Sequence, residues 1–175
     1  MGTAGFIAIE GTGFALAIGT YLYLAALSDQ WPLGAPPPRA WAGTAMLILL
    51  LASLWPNALL KRWGKNEDLP RVRFGLVLMS VLGLATLFVR GWEFTALNIR
   101  WDDNAYGSIL WVLLGLHAMH LGTDVADTIV LTALMFTRHG HGRRFTDVTD
   151  NAFYWDFVVA AWVPIYALIY WFARW

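Results

Sequence analysis

The sequence contains no cysteine, which removes disulfides, thiolate metal sites and cysteine nucleophiles from its possible chemistry. Charge is scarce as well. Only 14% of the residues are Asp, Glu, Lys or Arg, where a soluble domain carries about a quarter. Acids and bases balance to a formal net charge of zero. With no basic excess there is no face to neutralise phosphates, which argues against nucleic acid as a partner. No basic residue precedes the first apolar run, and that run contains Glu10. A cleavable signal peptide shows the opposite pattern, so the first helix is expected to be retained in the mature protein. No internal repeat is visible, and no low-complexity tract beyond the short PLGAPPP segment after Trp31.

Apolar residues, by contrast, make up 58% of the chain. A run of roughly 18 or more of them is long enough to cross a bilayer as a helix. Such runs predict an all-α fold, a polytopic membrane bundle of five transmembrane helices at about 5–27, 41–62, 74–92, 106–136 and 151–172. Together they fill a single membrane domain over 1–175 and leave no room for a separate soluble one.

The flanking charges predict an orientation. Lys61, Arg62, Lys65, Arg71 and Arg73 fall between helices 2 and 3, and Arg138, Arg143 and Arg144 between helices 4 and 5. The opposite side has Arg39, then Arg90 and Arg100, with Arg174 at the C-terminus. The positive-inside rule places the two basic loops and the N-terminus in the cytoplasm and the C-terminus outside. Trp31, Trp41, Trp92, Trp101, Trp171 and Trp175 then mark the outer interface, and Trp63 and Trp155 the inner one. The proline-rich PLGAPPP cannot be helix interior and reads as a stiff outer connection. Thr149 or Asp150 is placed to cap helix 5.

Helices in lipid associate through close packing and polar contacts. Gly11, Ala15 and Gly19 recur every fourth residue on helix 1. This stripe of small side chains suits ordinary packing within the chain or a docking face for another subunit.

The ionisable residues inside the apolar runs are the most informative. An unpaired charge at the bilayer centre costs at least ~2.5–3.5 kcal/mol, so such residues face protein, water or a partner. Helix 4 carries His117, His120, Asp124 and Asp127 at spacings of three, four and three, all on one face. Glu10 and Asp156 lie near the starts of helices 1 and 5, roughly 9 Å in from the cytoplasmic end at ~1.5 Å rise per residue. A polar cluster in the inner half of the bundle follows. It has three readings: structural, with His120 and Asp124 satisfying each other; proton handling, because neighbouring carboxylates in a low dielectric share protons; or a metal site built from His117, His120, Asp124 and a carboxylate of another helix. A haem held by two histidines needs them on opposite sides of the iron, and His117 with His120 on one helix face cannot supply that. His139 and His141 lie in a charged loop. HxxH alone is a far less specific metal signature than HExxH, so no metal is expected.

Several segments resemble the subunit III family of cytochrome c oxidase. YGSILWVLLGLHAMH at Tyr106–His120 is similar to its penultimate helix, with a YGS-type start, a glycine and two histidines three apart. AFYWDFVVAAWVPIYALIYW at Ala152–Trp171 resembles its last helix in Tyr154–Trp155, Phe157, Trp162 and the closing IYW. FIAIEG with Glu10 resembles the helix carrying a buried glutamate near its start, and WPLGAPPP the connection after it. Glu93, just after helix 3 at its outer end, falls where the family has a glutamate. The likeness covers nearly the whole chain in the family's order. Many members have seven helices, and these five correspond to the last five, as in shorter bacterial and quinol-oxidase forms. Asp156 stands where the family usually has a histidine, Val159 where it has an acid, and Asp124 where it has a small residue.

The resemblance implies a non-catalytic accessory subunit of a haem–copper terminal oxidase in the bacterial inner membrane. Such a subunit binds no haem or copper itself; these lie in the partner. It packs on catalytic subunit I beside other subunits, supports proton uptake and sustained turnover in aerobic electron transport, and carries bound phospholipid. Glu10, His117, His120, Asp124, Asp127 and Asp156 would form its proton-handling or structural polar cluster. Two alternatives are a subunit III-like accessory protein of nitric oxide reductase and, in a different class, a stand-alone small membrane transporter. The transporter lacks support from an inverted repeat or a helix broken at midplane.

Overall fold

The computed structural model describes residues 2–137 and 142–174. The expectations placed on Arg138, His139, His141 and Trp175 lie outside the described residues. Five helices follow one another: α1 (Gly2–Ala26), α2 (Ala40–Lys65), α3 (Leu69–Thr95), α4 (Ala105–Met135) and α5 (Arg143–Tyr166). A π-type turn (Ala167–Trp171) and a 3₁₀ turn (Phe172–Arg174) extend α5. There is no strand among the described residues. Five helical spans are long and apolar enough to cross a membrane, the fifth including the two terminal turns. The protein is a multi-pass membrane bundle.

Helix ends follow local chemistry. Asp68 caps α3, its Oδ1 accepting from the Arg71 amide at 3.3 Å, with Pro70 in the first turn where its missing N–H costs nothing. Asn104 caps α4 by accepting from the Gly107 amide at 2.9 Å. The cap expected of Thr149 or Asp150 is not formed. α5 begins eight residues before the apolar run, at Arg143, and Gly142 occupies its cap position. Thr149 instead bonds the Thr146 carbonyl and Asp150 accepts from Thr3. A charged amphipathic stretch continues a helix as readily as an apolar one, so hydropathy does not mark its start.

Neighbouring helices pack α2 on α3 and α5, α3 on α4, and α4 on α5, while α1 packs on α4 and α5. Close approach is permitted by glycine. A Cβ at Gly43 would sit 2.2 Å from the Tyr170 ring, and one at Gly83 would sit 2.7 Å from Val125 Cγ2. α1 is peripheral, burying only Phe14 and Tyr21 along its length. The proline-rich connection folds back over one end of the bundle. There Trp31 meets Tyr21 and Tyr106 edge-on, and Asn104 and Arg174 donate to the carbonyls of Leu33 and Pro38.

Two charge placements differ from expectation. Arg90 is not a loop residue: it lies inside α3 and is 2% exposed. Glu93 is at that helix's end as expected, but in its last turns and buried rather than beyond it. Trp155 is a core residue donating to Ser53 at 2.8 Å, not part of an interfacial belt. Trp41 and Trp92 do pair at one end, with ring centroids 4.3 Å apart.

Candidate functional site

Ionisable side chains that cannot face lipid turn inward, and they assemble in two groups on either side of α4. The first joins α1, α4 and α5. Tyr154 donates its hydroxyl proton to Glu10 Oε2 at 2.5 Å, and the other Glu10 oxygen stands 3.4 Å from His120 Nε2. His120 Nδ1 lies 2.7 Å from the Leu116 carbonyl. A carbonyl can only accept, so Nδ1 carries a proton and Nε2 is the nitrogen that faces Glu10. Phe14 covers the imidazole with centroids 4.8 Å apart. One turn further along α4, Asp124 is 2% exposed. Its Oδ1 accepts from Asn151 at 2.7 Å, and Asn151 accepts in turn from Thr128 at 3.0 Å. Asp124 Oδ2 has no partner. Beside this group a cleft of about 780 Å³ is lined by Glu10, Asp124, Asp127, Asp147, Asp150 and Tyr154, among others.

The second group is fully enclosed. His117, 0% exposed, accepts at Nδ1 from Arg90 at 2.9 Å and donates from Nε2 to the Val158 carbonyl at 2.9 Å. Arg90 is ion-paired with Glu93, one turn on, and its guanidinium lies 4.0 Å over the Trp162 ring. Tyr170 completes the group by donating to Glu93. A buried pair of charges is tolerated when further hydrogen bonds and a stacking face support both ions. Here Tyr170 supports Glu93, and His117 with Trp162 supports Arg90, whose Nε alone has no partner.

The expected cluster is therefore only partly assembled. Glu10 and His120 meet directly, with Asp124 and Asp127 along the same cleft. His120 and Asp124 do not satisfy each other; their partners are Glu10 and Asn151. His117 belongs with Arg90 and Glu93. Asp156 is not in the cluster. It faces α2, ion-paired with Lys61 and accepting from Asn57 at 2.7 Å. Both nitrogens of each described histidine point at protein partners, and among the described residues no group of three or more His, Asp or Glu side chains is arranged to hold a metal. Of the small-residue stripe, a Cβ at Gly11 would lie 3.8 Å from the Phe157 ring, while Ala15 and Gly19 are exposed with open space beside Gly19.

Sequence reasoning missed Arg90, Trp162, Tyr170, Tyr154 and Asn151 as members of the polar interior. The signal for the first was present: Arg90 and Glu93 are three apart, the spacing that lets opposite charges meet on one helix face. The tyrosines and asparagine are neutral, and nothing in the sequence distinguishes an inward one.

Bundle and polar interior together define a multi-pass, all-helical membrane protein whose buried charges are held by side chains of other helices. The chain belongs to the cytochrome c oxidase subunit III family, whose model matches residues 62–174. It is similar to cytochrome c oxidase subunit 3 of Thermostichus vulcanus, 22% identical over 97% of this chain and 85% of the relative. It is also similar to the subunits of the same name from Branchiostoma lanceolatum, 27% identical over 83% of this chain, and Myxine glutinosa, 32% identical over 55%. The chain spans only 56% and 37% of the length of those two relatives.

Proposed function

We propose that this chain is the non-catalytic subunit III of a haem–copper terminal oxidase in a bacterial inner membrane. The family match over residues 62–174 carries the reading. In it the chain packs on catalytic subunit I beside other oxidase subunits, and haem and copper reside in the partner. Phospholipid occupies its lipid-facing grooves. The N-terminus is cytoplasmic and the C-terminus outside, with the cluster of Lys61, Arg62, Lys65, Arg71 and Arg73 in the cytoplasm.

The chain's own contribution is to hold protons near the partner's proton entrance. Glu10 accepts from the Tyr154 hydroxyl at 2.5 Å and stands 3.4 Å from His120 Nε2, so a proton passes between Glu10 and His120 when the two side chains close that gap. Asp124 and Asp127 add carboxylates along the same cleft.

Affinity purification of the tagged chain from native membranes in mild detergent tests the assignment. The expected outcome is co-purification with a haem–copper oxidase core, seen in a reduced-minus-oxidised haem spectrum. A nitric oxide reductase core moves the chain to that related branch, and a colourless, folded chain alone ends the oxidase reading. The proton role is tested in the same complex by Glu10→Gln with Asp124→Asn. Proton uptake slows or turnover-dependent inactivation hastens; unchanged kinetics leave these residues a purely structural part.

A further inference from the structure

We propose that the acidic cleft between α1, α4 and α5 seats a lysine or arginine side chain of a partner polypeptide, received by the buried carboxylate of Asp124. The inference rests on the reading of the chain as one subunit of a larger complex.

The charge census of the cleft is one-sided. Five carboxylates line it, those of Glu10, Asp124, Asp127, Asp147 and Asp150, and the one described cation in its lining is Arg144. Arg144 is already paired with Asp147 at 3.0 Å. Glu10 is held by Tyr154 and His120, and Asp150 by Thr3 at 3.2 Å. Asp124 differs from the rest. It is 2% exposed, and its Oδ2 has no donor. A buried acceptor left unmade loses the hydrogen bonds it had in water, and a carboxylate oxygen loses more than a neutral one. No described side chain of the protein is placed to supply the missing donor.

The same census selects the occupant. A phospholipid headgroup would bring a phosphate among Asp127, Asp147 and Asp150, where no unpaired described cation receives it. A lone ammonium or guanidinium meets five carboxylates against one described cation, Arg144, which Asp147 already neutralises. The walls offer Phe6, Val130, Leu131 and Leu134 to its aliphatic stem. At about 780 Å³ the cleft holds such a side chain together with the segment bearing it. α1 is exposed at Ala15 and Gly19, with open space beside Gly19, which lets a partner helix run close alongside.

The experiment uses the native complex, purified on the tagged chain through a series of rising salt, with retained chains identified by mass. Four forms are compared: wild type, Asp124→Asn, the surface triple variant Asp127→Asn/Asp147→Asn/Asp150→Asn, and Asp102→Asn at the opposite end of the bundle as control. The expected result is that both cleft variants lose a partner chain at lower salt, at least ~10-fold less being retained where wild type and control still hold it. Asp124→Asn tests the buried contact; the triple variant keeps the test valid should that substitution impair folding. Retention curves matching wild type in the triple variant overturn the proposal. So does a phospholipid, counted in the intact complex, that leaves the variants while every partner stays. A wild-type chain that retains no partner at all instead ends the subunit reading, and this inference with it.

Discussion

Arg90 is the residue whose environment departs furthest from its chemistry: a guanidinium 2% exposed inside an apolar helix. It is held by Glu93, by His117 Nδ1 and by the face of Trp162. Removing one partner of a buried ion pair leaves the other uncompensated, at a cost of ~3–5 kcal/mol, whereas replacing both with isosteres is far milder. Arg90→Met is therefore expected to lower unfolding stability in detergent by about that amount, and Arg90→Met/Glu93→Gln to recover most of it. A single variant as stable as wild type would show the pair to be dispensable. Asp156, by contrast, pairs with Lys61 at a site 37% exposed on the acidic side, where solvent screening reduces the worth of the contact. Its neutral variant is expected to leave proton kinetics alone, since Asp156 faces α2 and not Glu10. The sequence placed Asp156 in the right helix and counted Arg90 with the charges of the outer loops. It could not place them on the right faces, because which neighbour each meets depends on how the helices are rotated.

At the scale of elements, glycine decides which helices come close. Gly43 lies under the Tyr170 ring, and a Cβ at Gly107 would sit 2.2 Å from the Arg100 carbonyl oxygen. Neither a ring locked by its bond to Glu93 nor a backbone carbonyl yields easily. Gly43→Ala and Gly107→Ala are expected to cost ~1–3 kcal/mol, the usual penalty of overpacking. Gly13→Ala and Gly19→Ala on α1 meet nothing within 4 Å, so they remain neutral or gain up to ~1 kcal/mol from lower chain entropy. Thermal unfolding of the four variants in one detergent checks the contrast, and equal losses in both pairs would refute it. The stripe Gly11–Ala15–Gly19 was legible as a pattern. Only the packing reveals that it divides, with Gly11 against Phe157 and the other two residues facing outward.

For the whole molecule, the segregation of charge sets the expected insertion. The absence of native cysteine makes it simple to test. A single cysteine at Glu67, in the short connection between α2 and α3, is expected to react with a membrane-impermeant thiol reagent only after the membrane is opened. One at Asp102, in the connection before α4, reacts in intact spheroplasts. The reverse pattern would invert the bundle and place the acidic cleft on the outer face.

The sequence by itself determined the class, the number and order of the spans, and the family. These are local properties. Each run of apolar residues carries its own length, and lipid obliges each to satisfy its backbone within one helix. The polar signatures of Tyr106–His120 and Ala152–Trp171 are contiguous motifs. Helix ends were less legible, as α5 begins in charged residues that hydropathy ignores. What only the tertiary structure decided is the partnership of each buried charge. It divides the polar residues of α4 between two groups, draws Arg90 and Tyr170 into one of them, turns Asp156 away, and leaves one oxygen of Asp124 without a donor. Successive residues on a helix point some 100° apart, so a side chain's surroundings follow from helix rotation and neighbour choice, and those are settled by packing across the whole bundle.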